Sequence, residues 1–405
     1  MGKDKELSVK EDVFYDCHLH LMNFDYINFT PLLYYVLGNV GSSITSGFLS
    51  SSYINPQNGK ITKNLANTLT RFQEPIKDTI LSLEEDLKGH LGHQNAFIKE
   101  DGRFHFRNES YSKYALCPLC MDFSSEENDK PYYKMPYRDK ITPFAEDTLF
   151  HIKAFKDEHK DSILTFYPFL GINPCVHSKE KIQSLLDRFF KQNEDERFSG
   201  VKFYPPLGTD PWPIHNRDEW EKVELIYSFL EENNIPLTTH CDNQGFRVID
   251  TKLAWKYTDP ESWKYVLEAH PKLKVNFAHF GRCYTNTTKV LDKVLTTVLS
   301  QSTISHDTWM KTIIDYIIKY DNVYTDLSFS LTDNSFVKAL ETMLLTKNEA
   351  TEKLKSRIMF GSDFSINLLK IDSYNTYLKN FENSNFEDDV IKRTTTTNVR
   401  RFLFE

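Results

Sequence analysis

Eight short runs rich in β-branched and aromatic residues recur along the 405-residue chain, each followed by polar turn residues and then a helical period. They are VFYDCHLHLM from Val13, YALCPLCMDF from Tyr114, ILTFYPFLGINP from Ile163, VKFYPP from Val201, IPLTTHCDN from Ile235, KVNFAHFG from Lys274, NVYTDLSFS from Asn322 and RIMFGSDFS from Arg357. Alternating strand and helix signals point to βα units and a parallel sheet. Eight such units are the number that closes a barrel, so the expected fold is an α/β (β/α)8 TIM barrel. The helical period is clearest over Lys179–Gln192, Arg217–Asn233, Ser262–Ala269 and Thr308–Tyr320, with Ser178 placed to cap the first of these.

The spacing breaks once. Roughly 90 residues separate the first run from the second, far beyond an ordinary βα loop. Residues 23–112 therefore read as a long, mostly helical insertion within a single barrel domain spanning residues 1–405. Apolar residues at helical spacing run from Asn64 to Leu87, interrupted by Pro75, and Gly and Ser accumulate between Gly38 and Ser52. The insertion is expected to form a lid over the C-terminal ends of the strands, the alternative being a decoration away from them. Ser124–Tyr137, a second polar stretch, would join the same lid.

Composition narrows the function classes. A net charge of −8 is the opposite of the basic face that a nucleic-acid binder presents. No apolar run approaches the roughly 20 residues needed to span a bilayer, and Met1–Glu11 lacks the basic start and apolar core of a signal peptide. Gly2 follows Met1, but Glu6 stands where a myristoylation motif wants Ser or Thr. Six cysteines scattered through a long chain do not make a disulfide framework. These features predict a cytoplasmic protein acting on a small molecule, with neither nucleic acid nor membrane as partner and homo-oligomerisation left open.

The chemistry gathers at the strand ends. His18 and His20 are two apart in the first run and so share a face. His240 ends the fifth strand, His279 the sixth and Asp363 the eighth, while Lys202 lies in the fourth. Singly, each has a bland explanation: a strand-end histidine is commonly a hydrogen-bonded structural residue, and an aspartate after Gly-Ser can cap a helix. Together, imidazoles and a carboxylate on one end of a barrel suit zinc, or manganese or iron.

The strings H-L-H, G-V-K-F-Y-P-P, T-T-H-C, F-A-H-F-G and F-G-S-D-F resemble the amidohydrolase superfamily, especially its amidohydrolase-related branch. Their order matches from Val13 to the closing N-V-R-R-F-L-F; the long insertion is not part of the resemblance. The resemblance implies that His18, His20 and Asp363 bind a first metal ion, with His240 joining them or binding a second. His279 would bind the second ion or, with one ion only, orient the reactive water. Asp363 would also take a proton from the attacking water and deliver it to the leaving group, which makes Asp363 and His279 the catalytic pair. Lys202 stands where a dihydroorotase-like strand carries a carboxylated lysine that bridges two metals; the alternative is a cation that holds a carboxylate.

Arg282, Tyr204, Asp122 and Asn243 fall at or just beyond strand ends and are the expected substrate contacts, with Asp242, Gln244 and Asp326 beside them. Cys117 and Cys120 are three apart and should face opposite sides of a strand, while Cys17 and Cys241 should point outward beneath the helices. The implied function is metal-dependent hydrolysis of an amide, ester or lactone-like carbonyl using one or two zinc ions. The alternative within the branch is a decarboxylase or hydratase acting on a small carboxylic acid. A metal-bound barrel without activity would show a broken ligand set, and this set is intact.

Overall fold

All eight runs form strands, and their hydrogen-bond ladder closes on itself. The computed structural model describes residues 12–26, 67–91, 95–125, 138–192, 196–243, 245, 247–282 and 309–405. The strands are β1 (Val13–Leu19), a short β2–β3 hairpin (Phe104–Phe106, Glu109–Tyr111), β4 (Lys113–Pro118), β5 (Leu164–Phe166), β6 (Phe169–Gly171), β7 (Gly200–Phe203), β8 (Leu237–Thr239), β9 (Val275–Phe277), β10 (Val323–Asp326) and β11 (Ile358–Met359). Parallel pairing runs β1–β4–β5 on one side and β6 through β11 on the other. Pro168, which has no N–H to donate, interrupts the third barrel strand and divides it into β5 and β6. Two seams join the halves. Cys120 N donates to Phe169 O at 2.9 Å, and Cys17 N to Phe360 O at 2.9 Å. The fold is a (β/α)8 barrel.

The helices follow the predicted periods. They are α1 (Ile76–Leu87), α2 (Ile141–Glu158), α3 (Lys179–Phe190), α4 (Arg217–Glu232), α5 (Thr251–Thr258), α6 (Lys264–Ala269), α7 (Trp309–Lys319), α8 (Asn334–Leu344), α9 (Glu349–Lys355), α10 (Tyr374–Glu382), α11 (Asp388–Lys392) and α12 (Asn398–Phe404). Ser178 caps α3, its hydroxyl accepting from Lys181 N at 3.2 Å. Pro75 precedes α1, where its missing N–H costs the helix nothing. Among the described residues no helix is long and apolar enough to cross a membrane.

Two apolar layers result. The larger lies between the sheet and the helices. The smaller fills the barrel floor with Tyr15, Cys17, Ala115, Cys117, Phe169, Tyr324 and Met359, and is closed from below by Val399, Phe402 and Leu403 of α12. Asn398 holds that helix in place by donating to the carbonyls of Lys355 and Ile358 at 2.8 and 2.7 Å.

Cys17 departs from expectation, because it lies in the floor rather than beneath the helices. The cause is a bulge: β1 gains a residue against β4 between Asp16 and Leu19. A strict two-residue period would put Asp16 on the face of His18 and His20; the extra residue turns Asp16 out and Cys17 in. Cys241 lies in the outer layer as expected, and Cys117 and Cys120 separate onto opposite faces.

The described part of the insertion packs on the barrel's flank. Helix α1 lies against α2 and α10, with Asp86 accepting from Asn375 N at 2.9 Å. The β2–β3 hairpin sets Phe104 and Phe106 against Phe14 at 4.7 and 5.2 Å between centroids. Asn67, Thr70 and Arg71 reach the level of the strand ends, where they line a cavity of about 220 Å³ with Phe364 and Leu368. The Gly38–Ser52 loop and residues 126–137 of the second polar stretch lie outside the described residues.

Phe402 packs on Tyr324 at 5.1 Å and is 1% exposed. Truncation to alanine leaves a cavity that the closed strands cannot collapse into, so Phe402→Ala should cost about 3–5 kcal/mol. Denaturant unfolding checks this, and a loss below about 1 kcal/mol would show that α12 does not seal the floor.

Candidate metal centre

The β1 bulge and the turn after β11 bring three ligand atoms to one point. His20 Nε2 lies 3.3 Å from Asp363 Oδ1, and His18 Nε2 3.6 Å from the same oxygen. Ligands about 2.1 Å from a tetrahedral ion are spaced about 3.4 Å apart, so these separations fit a metal.

The opposite ring nitrogens settle which atoms face the site. His18 Nδ1 lies 3.0 Å from Asp326 Oδ2. A carboxylate can only accept, so the proton sits on Nδ1 and the Nε2 lone pair turns to the site. His18 Nε2 has no hydrogen-bond partner although fully buried. His20 repeats the pattern: Nδ1 donates to Leu119 O at 2.9 Å, leaving Nε2 toward Asp363. Backing a ligand imidazole with a carboxylate or carbonyl is how proteins set the tautomer of a metal-binding histidine.

His279 and His240 extend the cluster. His279 Nδ1 contacts Ser328 Oγ at 2.8 Å and Ser328 O at 3.2 Å. His240 Nε2 lies 3.1 Å from Asp242 Oδ1. With those protons committed, His240 Nδ1 and His279 Nε2 face each other at 3.2 Å. Two lone pairs at that distance repel unless a proton or a cation lies between them. His18, His20 and Asp363 make one potential ligand group, His240, Asp242 and His279 a second, and His18, His279 and Asp326 a third.

Electrostatics favour a cation throughout. Asp242, Asp326 and Asp363 are all buried, as is Lys202. Three carboxylates against one ammonium leave an excess of negative charge that burial makes costly. Burial opposes ionisation of Asp326, but His18, His279 and Ser328 hold its carboxyl well below the usual carboxylate range. Asn276 Nδ2 and the amides of His279 and Ser328 also donate to that carboxylate. Burial and the neighbouring Lys202 lower His18 from 6.5 to about 3, which keeps it neutral and able to ligate. Burial also lowers Lys202 to about 8, against the pull of Asp326, Asp363 and Asp242. Its Nζ has no hydrogen-bond partner.

The other expected contacts divide. Tyr204 stands over His240 at 4.5 Å between rings. Together with His20, His240, Asp242, Gly245, His279 and Asp363 it lines a cavity of about 40 Å³, room for a few waters at about 10–15 Å³ each. Arg282 instead pairs with Asp333 at 2.6 Å. Asp122 accepts from His177 Nε2 at 2.7 Å and Asn173 N at 2.9 Å. Asn243 lends its carbonyl to Trp255 Nε1 at 2.9 Å. Gln244 lies outside the described residues. Sequence reasoning ranked Asp242 and Asp326 low and passed over Ser328. The signal was present in D-L-S, where alternate residues at the end of β10 share a face.

Several residues here adopt left-handed backbone: His279 at φ 60°, Phe280 at 56°, Phe329 at 60° and Asp363 at 61°. Each costs of order 1–3 kcal/mol and persists only where surrounding structure imposes it. Gly245, at φ 105°, is the position without a side chain to spare: an added Cβ would run into the Tyr204 hydroxyl and come within 3.0 Å of His240 Nε2.

A family model described as amidohydrolase matches residues 169–404. No curated protein matches the chain. Solved structures similar to it include the following three. An uncharacterised TIM-barrel protein from Bordetella bronchiseptica is 14% identical, with 96% of this chain and 98% of that one covered at a TM-score of 0.47. The 5-carboxyvanillate decarboxylase from Novosphingobium aromaticivorans, with bound manganese, is 12% identical, covering 97% of each chain at 0.48. A zinc-bound amidohydrolase from Burkholderia ambifaria is 10% identical, covering 98% of this chain and 86% of that one at 0.40.

Two outcomes follow from the geometry. Gly245→Ala should lower turnover at least about tenfold, since a displacement of about 1 Å in a site costs that much or more, and should lower the melting temperature through a backbone strain of about 1–3 kcal/mol; full activity would mean that Tyr204 and His240 tolerate displacement. His18 titrates near 3 when folded and 6.5 when unfolded, so the unfolded chain takes up the extra proton as pH falls. The metal-free protein should therefore lose stability from about pH 6.5 downward, and His18→Gln should flatten that slope in denaturant titrations.

Proposed function

Because the chain belongs to the amidohydrolase family, whose members are metal-dependent hydrolases and decarboxylases, we propose that it hydrolyses an amide, ester or lactone-like carbonyl of a small molecule. The reading is carried by one observation: His18 Nε2, His20 Nε2 and Asp363 Oδ1 converge at ligand spacing, each imidazole backed by an acceptor on its other nitrogen. His18, His20 and Asp363 hold a first divalent ion, zinc or alternatively manganese or iron. His240 would join them or bind a second ion with His279, Asp242 backing His240, or His279 would orient the attacking water where only one ion binds. Bound there, the cation would bring the pKa of water from about 16 toward 7 and polarise the substrate carbonyl.

The chain's own groups do the rest. Asp363 accepts the proton of the attacking water and passes it to the leaving group. Burial opposes ionisation of Asp363, yet hydrogen bonding by His20 and the nearby imidazoles keep its carboxyl below the ordinary range, so it is ionised and ready to accept. Tyr204 and Asn243 are the preferred substrate contacts, because the side chains of Arg282 and Asp122 pair with Asp333 and His177. With two ions bound, Lys202 as the neutral amine would add carbon dioxide and release a proton to become an anionic carbamate; beside a single ion it would stay cationic. Residues 23–112 narrow access to the centre, a role supported by Asn67, Thr70 and Arg71 at the level of Phe364. The enzyme is cytoplasmic and acts without nucleic acid or membrane.

Lys202 favours a second reading, decarboxylation or hydration of a small carboxylic acid. As a buried ammonium without a hydrogen-bond partner it would hold the substrate's carboxylate.

Chelation should abolish turnover, and added zinc or manganese should restore it. Asp363→Asn should cut turnover by about 10²–10⁴-fold while most of the metal stays bound, since the change removes the base and keeps an oxygen. The assay screens small amides, esters, lactones and carboxylic acids beside metal analysis. Near-wild-type turnover in Asp363→Asn would overturn the hydrolytic mechanism, and carbon dioxide release from an acid would favour the lyase.

A further inference from the structure

Asp16 is a fully buried carboxylate that the proposed chemistry does not use, yet its hydrogen bonds go to the backbone of the site. Asp16 Oδ1 accepts from His18 N at 3.1 Å and from Ser362 N at 3.0 Å. Oδ2 accepts from the Tyr374 hydroxyl at 2.8 Å. Tyr374 in turn meets the Tyr114 hydroxyl, and all three side chains are buried. The bulge of β1 lies between Asp16 and Leu19, and within it the His18 amide donates to the Asp16 carboxylate. Ser362 precedes Asp363, whose own amide donates to His18 O at 2.7 Å. One carboxylate thus ties together the two backbone segments that carry His18 and Asp363.

We propose that Asp16 and Tyr374 are a positioning pair that sets the His18–Asp363 geometry and so the affinity and coordination of the metal centre. The pair touches neither substrate nor ligand atoms. Its effect passes through the His18 amide, which orients the ring toward the site, and through the Ser362 amide, which holds Asp363 in its left-handed turn. Tyr374 aims the Oδ2 side of the carboxylate, and Tyr114 aims Tyr374. The proposal rests on the metal-centre reading, and the test separates the two.

Cobalt(II) is the probe, because its visible absorption reports coordination geometry without turnover. Affinity is measured by chelator competition, and the melting temperature of each metal-free protein is recorded beside it. Tyr374→Phe should weaken cobalt binding about 10-fold and alter the spectrum, and Asp16→Ala about 100-fold, the range for residues behind metal ligands. Asp16→Asn, which keeps an oxygen for the two amides, should lie nearer the parent than Asp16→Ala. If Asp16→Ala does not fold, Tyr374→Phe decides alone. Parental affinity and spectrum in Tyr374→Phe, or a lowered melting temperature with both unchanged, would overturn the positioning role and leave the metal centre standing. A parent chain that takes up no cobalt overturns the centre itself, and the proposal with it.

Discussion

The seam between the first and last barrel strands does two things with one set of hydrogen bonds. Cys17 N donates to Phe360 O, which closes the sheet, and one residue further along β1 His18 O accepts from Asp363 N, which sets the site. The ligand groups of His18 and Asp363 come from opposite ends of the chain, so neither exists as a ligand pair until the barrel shuts. Closing the fold and assembling the centre are therefore the same event. The bulge in β1 makes this possible by adding a residue where the strand leaves the floor, so that an apolar face ending at Cys17 gives way to His18 and His20.

Above that seam the interior changes character. The floor is an apolar plug sealed by α12, which excludes water and lowers the local dielectric. On top of it sit Lys202, Asn276, Asp326 and the histidines, all buried. A low-dielectric base strengthens every charge interaction above it and makes an unbalanced charge costly. The charge of the three carboxylates is eased where Asp326 accepts several hydrogen bonds, and a bound cation would offset the remainder. Stability and chemistry pull in opposite directions here: imidazole nitrogens that face each other and left-handed turns at His279 and Asp363 are poor choices for a metal-free core.

Fold and site differ in how far they were legible beforehand. The eight strands could be read because each is a buried run bounded by turn residues, and burial on both faces of a parallel sheet requires that composition. That His18, His20, His240, His279 and Asp363 gather at one end of the barrel could be read because imidazoles and carboxylates are rare residue types for strand ends. The partner of Arg282 could not be read, because its place beside the site says nothing about Asp333, which belongs to the next strand's loop and pairs with it. Asp16 was invisible: a two-residue period assigns it to the ligand face, and only the bulge shows that it lies behind the ligands.

What the sequence determined by itself is the architecture and the inventory of donor atoms, because both follow from local patterns of two and about four residues. Tertiary structure decided the rest: which nitrogen of each histidine faces the centre, which carboxylates back ligands rather than bind, and where the insertion's described helix and hairpin pack. Those outcomes depend on acceptors such as Leu119 O, Asp326 and Ser328 that lie far from the histidines in sequence. A ring's tautomer is set by the partner of its other nitrogen, and that partner is chosen only when the strands close.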